Sequence, residues 1–106
     1  MNKKVKAKYQ ARANIIKALA HPTRLFIANK LAEKAFCVCE LTKMVGDDIT
    51  TVSKHLSVLK NAGIVAVEKK GTQVFYHLKV PCIMGFLSCA EETIKSALKE
   101  QNQLFN

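Results

Sequence analysis

The chain has 106 residues, of which 49% are hydrophobic, so it suits one domain with a modest core and is not a disordered chain. Its 17 Lys and Arg against 8 Asp and Glu give a formal net charge of +9, which favours a polyanionic partner such as nucleic acid or an anionic membrane surface. No apolar run approaches the roughly 20 residues that span a bilayer, and the basic N-terminus lacks the apolar stretch of a signal peptide. We therefore expect a single cytoplasmic domain over residues 1–106 that does not span a membrane, and of the two polyanions we predict nucleic acid, not a membrane, as the partner.

Two helices are predicted first. Apolar residues at helical spacing indicate one helix over about residues 5–20. Pro22 interrupts it and suits the first turn of a second helix over about 23–34. The predicted buried stripe of the second helix consists of Leu25, Phe26, Ala28 and Leu31.

Two further helices joined by a tight turn are predicted over about residues 39–62, the arrangement of a helix-turn-helix. Gly46 ends the first of them, and Asp48 suits the N-cap of the second because its carboxylate can accept from free backbone amides. The predicted buried face of the second helix consists of Val52, Leu56 and Leu59.

The spacing of the apolar residues then changes from a period of 3.6 residues, typical of a helix, to a period of 2, typical of a strand. This change predicts a β-hairpin with a basic tip over about residues 65–79. Helical spacing returns over about 82–103, and the polar tail beyond Leu98 is expected to fray. The last helix has a wider apolar stripe than a chain of this size can cover. We therefore predict a mostly helical α+β fold in the order α-α-α-α-β-β-α, a helix-turn-helix followed by a hairpin, that forms a homodimer.

The second helix of a helix-turn-helix lies in the DNA major groove, with its N-terminal residues at the base edges. Hydroxyl groups and lysines can bond bases or phosphates. The basic hairpin tip adds groups that can lie over the adjacent backbone or minor groove. The DNA-binding residues predicted on this basis are Thr50, Thr51, Ser53, Lys54, His55, Lys69, Lys70 and Thr72, with His55 equally suited to a structural role.

Three segments carry a resemblance to a known family: KALAHPTRLFIANKL, CVCELTKMVGDDITTVSKHLSVLKNAGIV and VEKKGTQVFYHL. They resemble the ArsR/SmtB family of winged-helix repressors over roughly residues 15–80 without a gap. The resemblance implies a winged helix-turn-helix homodimer, joined through its first and last helices. It also implies that the dimer binds a near-palindromic operator in double-stranded DNA and releases it when an effector binds. Two positions depart from the family pattern, which usually has an apolar residue where Asp47 stands and often a glutamine where Ile49 stands.

The four cysteines favour no disulfide framework in a reducing compartment, and their spacing matches no zinc-finger or zinc-ribbon pattern. They are core residues, a thiol sensor or ligands for a thiophilic ion. Residues two apart on a helix point about 200° apart, so Cys37 and Cys39 would not normally share one buried face. The resemblance implies more: family members with CVC at the start of the third helix respond to soft ions, so Cys37 and Cys39 are the implied metal ligands.

The implied effector is As(III) or Sb(III), with Cd(II) or Pb(II) as the alternative, and no obligatory cofactor is expected. Thr42 stands where arsenic-responsive relatives can have a third cysteine, which leaves Cys82 or Cys89 as the possible third ligand. Ion binding is expected to distort the start of the third helix and so to move the DNA-binding helix.

Three alternatives stay open from the sequence. The cysteines of the same repressor could form a redox or reactive-sulfur switch. A thiol enzyme is disfavoured, because C-x-C is not the C-x-x-C redox motif and three scattered histidines make no recognisable catalytic set. A purely architectural nucleic-acid binder would bind DNA without sequence preference.

Overall fold

A computed structural model describes residues 1–105, and its elements follow the predicted winged helix-turn-helix order with one added strand. Five helices and a small antiparallel sheet make the fold mostly helical, as predicted. The elements are α1 (Lys3–Leu19), α2 (Pro22–Leu31), β1 (Phe36–Cys37), α3 (Val38–Val45), α4 (Ile49–Asn61), β2 (Val65–Lys70), β3 (Gln73–Leu78) and α5 (Ile83–Phe105).

Local capping residues define where the helices begin and end. Pro22 is the first residue of α2, and the Nδ1 atom of His21 accepts from the backbone amide of Thr23 at 3.1 Å. Gly46 ends α3 with φ +78°, a left-handed conformation that costs glycine little. Asp48 is the N-cap of α4, as predicted.

Three predicted boundaries differ from the structure. The second helix ends at Leu31 rather than near residue 34, since the chain turns there and continues into β1. The first helix is displaced by one or two residues, to Lys3–Leu19. The last helix continues to Phe105, so the tail predicted to fray is helical.

The sheet has the strand order β1-β3-β2. Strands β2 and β3 form the predicted hairpin, or wing, with Gly71 at φ +65° in its turn. Strand β1 was not predicted, because two residues are too few to show an alternating pattern. Its pairing of Phe36 with Tyr76 and of Cys37 with Phe75 joins the start of α3 to the wing.

The core lies between α2, α3, α4 and the sheet. We call these elements together the central body. Its largest fully buried side chains, each at most 2% exposed, are Ile27, Leu41, Val52, Leu56, Leu59, Ile64 and Val65. The predicted buried face of α4 is confirmed. The predicted stripe of α2 is confirmed at Ala28 and Leu31, and Leu25 is half-buried against the core. The prediction is wrong at Phe26, which is 38% exposed, and Ile27 takes the buried position.

The outer helices, α1 and α5, contribute little to this core. Among the residues whose burial is described, 1–104, the buried ones on these helices are Ala18 and Leu19 of α1 and Ile83 of α5. Large apolar side chains on the two helices are more than a third exposed: Val5, Tyr9, Ile15, Ile16, Phe86, Ile94, Leu98 and Leu104. Among residues 1–105, no helix has the length and apolar character needed to cross a membrane.

Candidate nucleic-acid interface and thiol site

The surface of α4 that faces away from the core forms a shallow, open concavity of about 660 Å³. We call it the α4 outer face; its lining residues are Ile49, Thr50, Ser53, Lys54, Ser57 and Val58. Three predicted DNA-binding residues, Thr50, Ser53 and Lys54, therefore lie together. Ser57 was not predicted, although its spacing of three and four residues from Lys54 and Ser53 would have placed it on the same face.

Thr51 was predicted to face outward, but the structure engages it in the cap of α4. The carboxylate of Asp48 accepts from the Thr51 backbone amide at 2.8 Å and from the Thr51 hydroxyl at 3.1 Å. These two bonds, the backbone one first, lower the pKa of Asp48 below its ordinary value. Thr51 thus fixes the first turn of α4 instead of lining its outer face.

His55 also lies away from the outer face, turned toward α2. Its Nδ1 atom is 3.3 Å from a guanidinium nitrogen of Arg24, and its ring centroid is 4.4 Å from that of His21. Burial, and then the charges of His21 and Arg24, lower the pKa of His55. Since Arg24 can only donate, His55 accepts in its neutral form. Arg24 also donates from Nε to the Ala18 carbonyl at 2.6 Å, so this cluster links α4 and α2 to the end of α1.

The wing presents the other predicted DNA contacts. Lys69 and Lys70 are exposed at the end of β2, and Thr72 is exposed in the turn that follows. The Lys70 ammonium lies 5.8 Å from the centroid of the Phe75 ring. The wing tip therefore carries two positive charges on a short, defined hairpin.

Cys37 and Cys39 stand on either side of the first residue of α3 but in different environments. Cys37 is the N-cap and is 8% exposed, whereas Cys39 is exposed. The Glu40 carboxylate accepts from the Cys37 backbone amide at 3.2 Å. Hydrogen bonds from the Cys37 thiol and then from this amide lower the pKa of Glu40. The pair therefore belongs to the cap that starts the first helix of the helix-turn-helix.

The other two cysteines lie elsewhere. Cys82 lines an apolar cleft of about 440 Å³ between α1 and α5, and Cys89 is exposed on α5. Among the described residues the four cysteines are free, and no three His, Cys, Asp or Glu side chains come together as a metal site. Within one chain, the part that the structure describes therefore offers an ion the Cys37 and Cys39 pair without a third such ligand.

The sequence of the central body matches known transcriptional regulators. The family profile described as bacterial regulatory protein, arsR family, matches residues 21–67. The chain is 44% identical over 72 residues to an uncharacterised HTH-type transcriptional regulator of Methanocaldococcus jannaschii, an alignment covering 67% of this chain and 81% of that protein. The chain belongs to the ArsR family. It is thus a transcriptional regulator with a DNA-binding helix-turn-helix, and not the thiol enzyme that the sequence disfavoured.

Solved structures of ArsR-type regulators share the fold. A homodimeric winged helix-turn-helix DNA-binding domain from Mycobacterium bovis superposes with a TM-score of 0.80 at 25% identity, covering 94% of this chain and 93% of that one. The transcriptional repressor BigR of Xylella fastidiosa superposes with a TM-score of 0.69 at 32% identity, covering 85% and 96%. The winged helix-turn-helix fold predicted from the sequence is therefore confirmed.

Proposed function

We propose that this ArsR-family chain is a homodimeric repressor whose α4 outer face enters the major groove of a near-palindromic operator. The observation that carries this proposal is the gathering of Thr50, Ser53 and Lys54 on one solvent-facing surface of the second helix. The net charge of +9 and the lysines of the wing tip support binding to a polyanion. The similarity to the Xylella repressor supports repression as the outcome.

The exposed apolar side chains of α1 and α5 support the dimer. Side chains such as Phe86 and Ile94, 55% and 60% exposed in one chain, cost free energy when they stay in water. A second copy presents the same apolar surface and can cover them by twofold symmetry. Two α4 helices then meet two half-sites about one helical turn of DNA apart, which multiplies specificity.

Operator binding is tested by salt titration of the wild type and of the Lys69→Ala/Lys70→Ala double variant on a selected operator and on random duplex. The double variant should bind more weakly at every sequence. The homodimer then lacks two lysines on each of its two wings, so the magnitude of its slope of log affinity against log salt should fall by about four. Lys99→Ala, a basic residue on α5, is the control and should keep the wild-type slope. Equal affinity of the wild type for operator and random duplex would instead indicate an architectural binder.

As the effector, a thiophilic ion at Cys37 and Cys39 fits the chain best, with As(III) or Sb(III) ahead of Cd(II) or Pb(II). Thiolates are the ligands that soft ions prefer, and Cys39 is accessible to solvent. A third donor, Cys82 or Cys89, would have to approach from a rearranged α5 or from the second subunit.

The position of the pair suggests how binding is transmitted. Cys37 is buried and Cys39 exposed, so one ion can contact both thiolates only if the first turn of α3 reorganises. That change would disturb the cap, in which the Glu40 carboxylate accepts from the Cys37 backbone amide. Because Cys37 also pairs with Phe75 in β3, the disturbance reaches the wing as well as the helix-turn-helix. The coupling is reciprocal, so operator DNA must weaken ion binding by the same factor.

A second candidate is a thiol switch in the same repressor. Three exposed free cysteines, and the lack of a third ligand beside Cys37 and Cys39 among the described residues, favour it. Two thiols would give two protons and two electrons to an oxidant and form a disulfide. Their Cα atoms must then approach within about 7 Å.

One experiment separates these effectors. Operator affinity is measured by fluorescence anisotropy for the wild type, Cys37→Ser, Cys39→Ser, Cys82→Ser, Cys89→Ser and the control Ser96→Ala, an exposed α5 position, with and without arsenite, in a phosphine reductant. Thiol reductants are avoided because they bind arsenite. Arsenite should weaken wild-type binding by roughly 5–150-fold, the usual range of such couplings.

Cys37→Ser and Cys39→Ser should bind operator but no longer release it, while Ser96→Ala should respond like the wild type. Loss of response in Cys89→Ser or Cys82→Ser would identify the third ligand. Release by an oxidant or a persulfide, with none by arsenite, supports the thiol switch. Release by arsenite that survives both Cys37→Ser and Cys39→Ser contradicts the proposed site.

A further inference from the structure

The α4 outer face has an apolar residue where a DNA-binding helix is expected to contact bases. Ile49 is the first residue of α4 and is 50% exposed. It lines the same concavity as Thr50 and Ser53, whose hydroxyls can bond bases or phosphates. Ile49 offers no such bond, so its contact with DNA has to be apolar.

The direction of Ile49 is fixed by the cap. Both carboxylate oxygens of Asp48 are bonded to Thr51, at 2.8 and 3.1 Å, which holds the first turn in one conformation. Val58, the other apolar residue of this surface, lies nine residues further along, about 13.5 Å from Ile49 along the helix axis. Since the N-terminal residues of such a helix contact the base edges, Ile49 is the apolar residue within their reach.

The major groove presents one apolar group, the C5-methyl of thymine, which favours apolar side chains. We propose that Ile49 is a specificity-determining residue that packs on the C5-methyl of a thymine in each operator half-site. The proposal rests on the operator binding proposed above and adds one base position and its recognition chemistry.

The test uses an operator selected by the full-length protein from a library of randomised duplexes. Each thymine of one half-site is replaced in turn by deoxyuridine, which lacks only the methyl group, and affinity is measured by fluorescence anisotropy. One replacement should weaken wild-type binding by about fourfold, the ratio that follows from losing one buried methyl group. Ile49→Ala should bind the thymine and deoxyuridine operators equally.

Two variants control for neighbouring methyl groups. Thr50→Ser, which removes a methyl and keeps the hydroxyl, and Val58→Ala should both retain the deoxyuridine effect at that position. Ile49→Gln should select adenine there in a repeated library selection, because glutamine bonds two atoms of adenine. Circular dichroism checks that each variant keeps the helical content of the wild type.

Two results overturn the inference alone: a selected operator with no methyl-sensitive thymine, or an Ile49→Ala variant that keeps the full deoxyuridine effect. Failure of the wild type to enrich any sequence overturns the proposed operator binding, and this inference with it.

Discussion

The central body and the outer helices use their apolar residues in opposite ways. In the central body, Ile27, Leu41 and Leu56 are completely buried within one chain. On the outer helices, Ile16, Ile94 and Leu98 are each more than half exposed. Burial of apolar surface is the main force in folding, so one chain encodes the central body completely. The outer helices need a second apolar surface, which is why the dimer proposal concerns them alone.

The largest expected effect comes from a cavity in the central body. Leu56→Ala should lower the free energy of unfolding by about 2–5 kcal/mol, because Leu56 is fully buried and its neighbours relax only in part. Urea denaturation followed by circular dichroism measures the loss. The loss should be the same at every protein concentration, whereas Leu98→Ala should act through the dimer and depend on concentration. If the loss of unfolding free energy in Leu56→Ala depended on protein concentration, the central body would not be stabilised within one chain alone.

The next largest effect is expected from charges on α5, which should remove the dimer contact and leave the central body folded. Ile94→Lys/Leu98→Lys places two charges on the apolar stripe of α5, so the protein should become monomeric while the circular dichroism of the body persists. Light scattering after size-exclusion chromatography measures the mass. Operator affinity should fall at least about tenfold, since one half-site is then bound alone.

The control for this pair is Ser96→Lys, at an exposed position about 200° around α5 from each substituted residue. It should leave the dimer intact. A dimer that survives the double substitution would contradict a contact through this stripe.

Most of the fold followed from residues close together in the chain. The cap at Asp48, the end of α3 at Gly46 and the buried face of α4 are local patterns, and each was confirmed. The stripe of α2 was wrong at Phe26 because residues 25–28 are all apolar, so spacing alone does not choose among them. Strand β1 depends on a partner almost 40 residues away and has too few residues for a pattern.

The candidate site was predictable only in part, because some of its contacts join residues that lie far apart in the chain. The outward position of Thr50, Ser53 and Lys54 follows from helical geometry alone. The inward position of His55 depends on Arg24, which is 31 residues away in the chain. The separation of Cys37 from Cys82 and Cys89 depends on how α5 leaves the body, which no local spacing encodes.

A smaller effect is expected from the cap within the body. Asp48→Ala should lower the thermal midpoint by roughly a few degrees, and Asp48→Asn by less, because asparagine also caps helices. The pKa of Asp48 is lowered in the folded state, so its stabilisation is present above the ordinary value of 3.8 and is lost as the pH falls through the lowered one. Thermal denaturation of the wild type and of Asp48→Ala at pH 7 and pH 2.5 measures this contribution. The difference between their thermal midpoints should be smaller at pH 2.5. A difference that is unchanged at pH 2.5 would argue against a charged cap.

The smallest effect is expected from protonation of His55, which lies where the end of α1 meets the central body. The pKa of His55 is lowered below its ordinary value of 6.5, first by burial and then by His21 and Arg24, while Asp47 acts in the opposite direction. The unfolded chain therefore binds more protons between the two values, so this contribution to stability is full above pH 6.5 and is lost on acidification through the lowered pKa. His55→Gln, which stays neutral and can still accept from Arg24, should lose less stability than the wild type between pH 7.5 and pH 5.5. His77→Gln on β3 is the control and should follow the wild type. Equal acid sensitivity in the wild type and His55→Gln would show that protonation of His55 does not loosen this junction.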